Sequence, residues 1–321
     1  MTRMFDFNGN VRRARRELLF VPMFVLVAYV CVGAALIHGF GMDPVLATVL
    51  VDFAVAGLCG AYVYRYEPRV KGDGNSLTGV PMKYMMWVML VAVWLFGQVT
   101  AAYVLEKTGD ANFMKYQSAL SGEASVWLSV LLTLVAAPLC EEMMLRGLVQ
   151  DCWSRINPWF GVLGSTVVFS MMHGTLVHLP STFLMGLMAA VVYASTGRIW
   201  LSVALHVGYN GAASILGKLS IPEAMFEPAV FVTVDILLVA WMLLEYRHAL
   251  KSNRKEDSHG EAEEKAGEVV GGEEADHHTG ASREDAGGSQ VQGDHGEEGT
   301  GHEGKGPADG TPGDEDVTHA P

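Results

Sequence analysis

The sequence predicts an all-α, polytopic membrane protein of about eight transmembrane helices with a disordered acidic C-terminal tail. Three observations lead to this prediction. The 321-residue chain is 50% hydrophobic, although its formal net charge is −13. The negative charge is concentrated at one end, because 19 acidic but only 3 basic side chains follow Lys255. The residues before that point contain eight apolar stretches, each close to the length that crosses a bilayer as a helix.

The chain divides into three predicted parts. Residues 1–17 form a basic segment that we expect in the cytoplasm, residues 18–250 a transmembrane helical domain, and residues 251–321 the disordered tail. The first apolar stretch is longer than the hydrophobic region of a signal peptide, which has about 7–15 residues, so we expect an uncleaved first span. The tail has almost no large apolar side chain, so burial cannot offset the entropy lost on ordering it.

Eight stretches are predicted to cross the membrane, because a hydrocarbon core of about 30 Å requires about 20 apolar residues in a helix. In chain order they are Leu18–Gly39, Pro44–Tyr64, Tyr84–Leu105, Ser125–Val149, Gly161–Val177, Leu179–Thr196, Trp200–Leu216 and Ala229–Tyr246. The fifth to seventh stretches are short and contain His, Gly and Ser. Such spans are typical of helices that line a cavity or are partly re-entrant.

The basic residues support this arrangement. With the N-terminus in the cytoplasm, fifteen lysines and arginines fall in the inside segments, whereas the outside loops hold only Lys107, Lys115 and Lys218. Loops on the cytoplasmic side of membrane proteins carry this excess of positive charge. We therefore expect an integral protein of the cell membrane with both termini in the cytoplasm.

Ionisable side chains inside a bilayer are costly and so mark candidate functional positions. The fourth predicted span contains Glu141, Glu142 and Arg146 in the sequence EEMMLR. Glu142 and Arg146 are four residues apart and share a helix face, so we expect them to pair. Glu141 points about 100° away and is free for another role. A salt-bridged helix end would explain the same three residues without catalysis.

The fifth and seventh predicted spans add three polar residues. His173 ends the sequence FSMMH, and His206 and Asn210 lie four residues apart on one face of the seventh span. Alone, each is explained by a satisfied core histidine or a polar contact between helices. Counted at about 1.5 Å per residue from the predicted cytoplasmic ends, all three and Glu141 can fall near the midplane or in the inner half of the membrane.

Such a group of residues is suited to activating water. A carboxylate and a histidine can hold and deprotonate a water molecule, and a second histidine and an amide can donate to a developing oxyanion. A His/Glu set can equally well bind zinc. The sequence lacks the HExxH, GxSG and GxGD motifs, which counts against the usual zinc-protease helix, a rhomboid-like protease and a presenilin-like protease.

The pattern resembles the CPBP family of intramembrane endopeptidases, which comprises type II CAAX prenyl endopeptidases and bacteriocin-processing, Abi-like proteins. That family carries EExxxR, FxxxH and HxxxN or HxxxD on successive membrane helices. In this chain the motifs are Glu141 to Arg146, Phe169 to His173 and His206 to Asn210. The resemblance covers about residues 125–216, and the first three spans, the last span and the tail lie outside it.

The resemblance implies an eight-helix membrane fold and hydrolysis of a peptide bond in a membrane-associated protein or peptide. The expected partners are therefore the lipid bilayer and such a substrate, and not a nucleic acid. By position, Glu141 would be the general base, and Glu142 would be the second motif carboxylate, paired with Arg146. His173 would help to bind the water. The oxyanion site would be formed by His206 and Asn210.

The resemblance leaves the cofactor open. The family is often described as metalloproteases, and a metal-free mechanism with Glu and His is also proposed for it. If zinc is bound, its expected ligands are Glu141, His173 and His206. We slightly prefer the metal-independent mechanism, because Asn210 is a poor zinc ligand and Glu142 would be engaged by Arg146.

Two other functions stay open from the sequence. Buried Glu, His and Arg, together with Asp52 and Asp235 in other predicted spans, are also typical of a proton- or ion-coupled transporter. Transporters often contain internal repeats, and we find none in this sequence. The other alternative is a catalytically silent membrane scaffold for bacteriocin immunity or protein sorting, which only an activity measurement can distinguish from a peptidase.

Overall fold

The computed structural model describes residues 11–111, 113–115, 126–216 and 227–276. Within these ranges the chain is helical, apart from turns and one isolated β-bridge between Asn75 and Pro81. The prediction of an all-α fold is therefore confirmed. The compact unit Met1–Ala266 contains every residue discussed below. Of the second unit, Gly267–Pro321, the structure describes a helix that ends at Asp276.

The longer helices are numbered here in chain order, and contiguous α- and π-helical pieces count as one helix. They are α1 (Val11–Ala34, with a π-helical end Ala35–Gly39), α2 (Pro44–Arg65), α3 (Met82–Thr108), α4 (Val126–Ile156), α5 (Pro158–Met172), α6 (His178–Thr196), α7 (Ile199–Leu216) and α8 (Pro228–Asp276).

Six of these helices are long and apolar enough to cross a membrane, namely α1, α2, α3, α4, α6 and the part of α8 from Pro228 to Lys255. They indicate an integral membrane protein, but the predicted count of eight spans is not confirmed. Helix α5 has 15 residues, so at about 1.5 Å per residue it is shorter than the hydrocarbon core. Helix α7 has 18 residues, but it carries Ser202, His206 and Asn210 among its apolar side chains. The side of the membrane on which each terminus lies stays a prediction.

The core of the molecule is built around α4 and α6. Every side chain of α6 from Leu184 to Ser195 is buried, because this helix packs against α3, α5 and α7. In α4, the side chains from Glu142 to Ser154 are also all buried. The middle of α4 is π-helical from Met143 to Gln150, a form that is rare and frequently occurs at functional sites. The polar residues of α4 thus lie inside the helical bundle.

Local sequence signals place His173 at a helix end. Helix α5 begins at Pro158, and the preceding Asn157 accepts hydrogen bonds from the backbone N–H groups of Trp159 and Phe160. The helix ends before His173, and Gly174 follows with φ of 64°. Glycine adopts this left-handed conformation without steric cost, so it stops the helix there. His173 therefore lies in the turn between α5 and α6.

Part of the predicted tail is helical. Residues 251–276 continue α8, so disorder is not confirmed for this part of the tail. A helix that is already formed propagates without a new nucleation step, and Ala, Glu and Lys in this stretch favour the helical state. Residues 277–321 lie outside the described residues, so the prediction of disorder is untested there, as are the predicted domain boundaries.

Candidate active site

The carboxylate of Glu142 is at the centre of a buried polar network. Its Oε2 lies 3.3 Å from Nε of Arg146, which is the ion pair that the spacing predicts. Its Oε1 accepts a hydrogen bond of 2.9 Å from Nδ1 of His206. The side chains of Glu142 and Arg146 are both 0% exposed, so these polar groups have no water as an alternative partner. One carboxylate thus joins helix α4 to helix α7.

Arg146 is held from two further sides. Its Nη2 donates to the carbonyl oxygen of Gly186 in α6 at 3.0 Å, and its guanidinium lies 4.6 Å from the centre of the Phe169 ring. Gly186 has to be a glycine here, because a Cβ at that position would lie 2.9 Å from a ring carbon of Phe169. The arginine is therefore fixed among α4, α5 and α6.

Phe169 connects the two histidines of the candidate site. Its ring centre is 4.9 Å from that of His173 and 5.5 Å from that of His206, and the residue is almost fully buried. Phe169 is the first residue of the second motif, but it was not among the site residues predicted from the sequence. Its position four residues before His173 was the available signal, since residues at that spacing share a helix face.

Glu141 has different surroundings from Glu142. Its side chain is 17% exposed, and its Oε2 lies 3.9 Å from Nε2 of His206, which is too far for a hydrogen bond. Among the described residues, this oxygen has no hydrogen-bond partner. Of two adjacent glutamates, Glu142 is fully buried between Arg146 and His206, whereas Glu141 is partly exposed and has no cation closer than His206 at 3.9 Å.

The hydrogen bonds of the two histidines define their tautomers. Nδ1 of His173 lies 2.9 Å from the carbonyl oxygen of Phe169, and Nδ1 of His206 lies 2.9 Å from the Glu142 carboxylate. A carbonyl or carboxylate oxygen can only accept, so both Nδ1 atoms carry the proton. In the neutral state each Nε2 is then left as an acceptor.

Asn210 has a contact that the sequence did not predict. Its side-chain Nδ2 donates to the carbonyl oxygen of Thr133 at 2.9 Å, in the π-helical stretch Leu132–Ala136 of α4. An asparagine amide has two N–H donors, so one of them is used in joining α7 to α4. The second donor is the one left for the predicted oxyanion role.

Zinc does not fit the predicted ligand set in this geometry. A catalytic zinc site needs three protein ligands at about 2.0–2.3 Å from one point. In the ranges that the structure describes, no group of three His, Cys, Asp or Glu side chains is arranged to hold a metal ion. Glu142 is engaged by Arg146 and His206, so it does not supply a further ligand.

Two features of the bundle lie outside the predicted set. Asp52 of α2 is fully buried and accepts a hydrogen bond from the Tyr29 hydroxyl at 3.0 Å, and α2 packs against the Ala137–Glu142 part of α4. An apolar cavity of about 360 Å³ lies between α6 and α8 and is lined by Phe183 and Asp235, among others. None of the six predicted site residues lines this cavity.

Comparisons with known proteins give one family match and two relatives. Residues 123–212 match the model of the family described as type II CAAX prenyl endopeptidase Rce1-like. A Bacillus subtilis (strain 168) protein named "Putative membrane peptidase YdiL" is 30% identical over 95 residues, which cover 29% of this chain and 39% of that protein. An Escherichia coli protein named "Uncharacterized 24.3 kDa protein" is 28% identical over 194 residues, 56% of this chain and 83% of that protein. No solved structure shows a significant match to the chain.

The family match includes every predicted site residue, from Glu141 to Asn210. The match to the Bacillus subtilis protein spans about two fifths of that protein's length. The roles of the individual residues stay predictions. Residues 123–212, which carry the three motifs in order on α4, α5 and α7, are thus similar to the Rce1-like family of type II CAAX prenyl endopeptidases.

Proposed function

We propose that this protein is an intramembrane endopeptidase that cleaves a membrane-associated protein or peptide with a water molecule activated by Glu141 and His173. The observation that carries the proposal is the asymmetry of the two glutamates. The Glu142 carboxylate is fully buried, lies 3.3 Å from Nε of Arg146 and accepts a hydrogen bond from His206. Glu141 is partly exposed, and its Oε2 comes no closer to His206 than 3.9 Å and has no hydrogen-bond partner among the described residues. A general base needs such an uncommitted oxygen within reach of its water.

In the first step, Glu141 removes a proton from water while the water oxygen forms a bond to the scissile carbonyl carbon. His173 helps to hold this water, because the proton on its Nδ1 is donated to the Phe169 carbonyl and its Nε2 can accept a hydrogen bond. The product of this step is a tetrahedral intermediate with a negatively charged oxygen. Glu141 has become a carboxylic acid.

The oxyanion is stabilised from α7. In its protonated form, His206 has a donor at each ring nitrogen. Its Nδ1 donates to Glu142, its Nε2–H can donate to the oxyanion, and the second amide N–H of Asn210 provides another donor. Preorganised donors of this kind stabilise an oxyanion most strongly in a site that excludes water. Arg146 holds the Glu142 carboxylate in place.

In the last step, the intermediate collapses and the carbon–nitrogen bond breaks. The proton that Glu141 took from water is transferred to the leaving nitrogen, which restores the Glu141 carboxylate. The products are an amine and a carboxylic acid, which keeps the second proton of the water. The chain's own residues account for every proton in this sequence, and no step passes through a metal ion. The match of residues 123–212 to the Rce1-like family supports a membrane peptidase, and the water mechanism and the substrate class are our proposals.

The test is a proteolysis assay on the purified full chain in lipid nanodiscs, using a library of lipidated and unlipidated peptides. We expect cleavage by the wild-type protein and a loss of about 10²–10⁴ in rate in Glu141→Gln, which keeps the shape but removes the base. Glu106→Gln is the matched control, because Glu106 is an exposed residue near the end of α3. It should cleave like the wild type, with or without a chelator.

Transport is the alternative that one observation favours. Asp52 and Asp235 each have a buried carboxylate oxygen with no hydrogen-bond partner among the described residues, and carboxylates inside a membrane often mark a proton pathway. If Glu141→Gln and His173→Ala both cleave at the wild-type rate, the peptidase assignment at this site is wrong. Proton uptake into proteoliposomes that is lost in Asp52→Asn would then identify a transporter.

A further inference from the structure

Asp110 joins two parts of the chain that are distant in sequence. It follows α3, which ends at Thr108. Its Oδ1 accepts a hydrogen bond from the backbone N–H of Phe113 at 3.2 Å, within its own turn. Its Oδ2 accepts from the backbone N–H groups of Leu176 at 2.7 Å and Val177 at 3.4 Å. One carboxylate therefore connects the end of α3 to the turn that precedes α6.

The turn that Asp110 contacts is the one that begins with His173. Four residues, from Gly174 to Val177, separate His173 from α6, and the N–H groups at the start of a helix need partners from outside it. Thr175 supplies one partner, since its hydroxyl accepts from the N–H of His178 at 3.2 Å. Asp110 accepts from the two N–H groups just before the helix, those of Leu176 and Val177, and places a negative charge near the positive end of the helix.

This turn is held at both ends. On the α5 side, Nδ1 of His173 donates to the Phe169 carbonyl at 2.9 Å, and the N–H of Gly174 donates to the Met171 carbonyl at 3.2 Å. On the α6 side, Asp110 accepts from Leu176 at 2.7 Å. The backbone that carries His173 is therefore held between α5 and the aspartate.

A second contact runs from the same segment to the same turn. The ring of Phe113 meets the ring of His178 edge-on with centres 5.1 Å apart, and the ring of His178 lies 6.2 Å from that of His173. The short turn that Asp110 caps thus presses one side chain against the neighbour of His173. Both contacts therefore hold the segment that follows His173.

We propose that Asp110 is a positioning residue for His173, which it holds in place through the turn that precedes α6. The inference rests on the proposed function, because His173 needs a defined position only if it holds the attacking water. Displacing a reacting group by about 1 Å can cost a hundredfold in rate. Loss of Asp110 should therefore lower kcat and leave KM nearly unchanged, since substrate binding is not its task.

The test compares Asp110→Ala and Asp110→Asn with the matched control Asp43→Ala. Asp43 also caps a helix, since its Oδ1 accepts from the N–H of Leu46 at 2.9 Å at the start of α2, but it has no contact with the turn that follows His173. All three variants are compared with the wild type by thermal unfolding, by kcat and KM, and by hydrogen–deuterium exchange of residues 173–178.

We expect Asp110→Ala to lower kcat roughly ten- to a hundredfold, and its 173–178 amides to exchange faster than those of the wild type. The kcat and the exchange rate of Asp110→Asn should lie between those of the wild type and of Asp110→Ala, because an amide oxygen can still accept from Leu176. Asp43→Ala should lose a similar amount of thermal stability but keep its kcat. Equal kcat in the two alanine variants would overturn the proposal.

The two proposals can fail separately. A wild-type protein that cleaves no test peptide overturns the peptidase assignment, and the exchange measurement then decides by itself whether Asp110 holds the His173 turn. Unchanged exchange in Asp110→Ala shows that it does not. An active wild type with unchanged kcat and exchange in Asp110→Ala overturns only the role of Asp110.

Discussion

Glu141 and Glu142 show how two identical side chains acquire different properties. Successive residues on a helix point about 100° apart, so Glu142 faces Arg146 and His206, whereas Glu141 faces a less crowded side of α4. Both histidines of the site have an oxygen acceptor at Nδ1, which leaves their Nε2 atoms for chemistry. The assignment of base and partner thus depends on neighbours rather than on residue type.

Replacing Arg146 with Met should destabilise the protein strongly. Glu142 would then be a buried carboxylate without its cation, and removing one partner of a buried pair typically costs about 3–5 kcal/mol. Thermal unfolding in detergent should show the loss. Arg198→Met is the control, because Arg198 is exposed and should change stability little. An Arg146→Met protein with wild-type stability and activity would contradict the pairing.

Asn210→Ala distinguishes catalysis from packing at that position. If the second amide N–H donates to the oxyanion, kcat should fall about 10²–10³-fold, as for other oxyanion-hole donors. The bond to Thr133 should add a stability loss of about 1 kcal/mol. A lower melting temperature with unchanged kcat would assign Asn210 to the contact between α7 and α4 alone.

At the scale of the elements, close approach of α6 to α4 and α5 creates the site. Gly186 allows this approach, since a methyl group there would lie 2.9 Å from Phe169 and 3.4 Å from Nη2 of Arg146. Helix α5 ends at Met172, so His173 lies in the turn that leads to α6. The site is therefore assembled from parts of four helices, α4 to α7.

Gly186→Ala should separate these helices and destabilise the protein by about 1–3 kcal/mol, which is typical of overpacking. Gly57→Ala is the matched control. Gly57 also lies within a membrane helix, but a Cβ there would meet nothing within 4 Å. Chemical unfolding in mixed micelles measures the free energy of unfolding of both variants. If Gly186→Ala is as stable as Gly57→Ala, the packing around Arg146 accommodates a larger side chain than the structure indicates.

At the scale of the whole molecule, the orientation in the membrane is the open question. The Lys/Arg distribution predicts that both termini lie in the cytoplasm. Reporter fusions after Lys255 and after Lys107 should therefore report opposite sides of the membrane. A fusion after Arg65, which we also expect inside, is the control. Reporters on the same side after Lys255 and Lys107 would rule out this topology.

The sequence predicted the all-α class well, because the apolar stretches are long and the cost of an unpaired backbone group in lipid favours helices. The predicted number of spans stays unconfirmed, because hydropathy does not distinguish a helix that faces lipid from one that is buried in protein. The helical continuation of α8 to Asp276 was not predicted, because composition alone does not reveal a helix that has already been nucleated.

For the site, the sequence by itself determined the candidate residues and the pairing of Glu142 with Arg146, since motif order and i,i+4 spacing are local properties of the chain. Only the tertiary structure decided that His206 shares Glu142, that Phe169 lies against both histidines, and that Asn210 donates to Thr133. These contacts join different helices, and the way helices pack depends on the shapes of all their side chains together. No spacing within one segment encodes them.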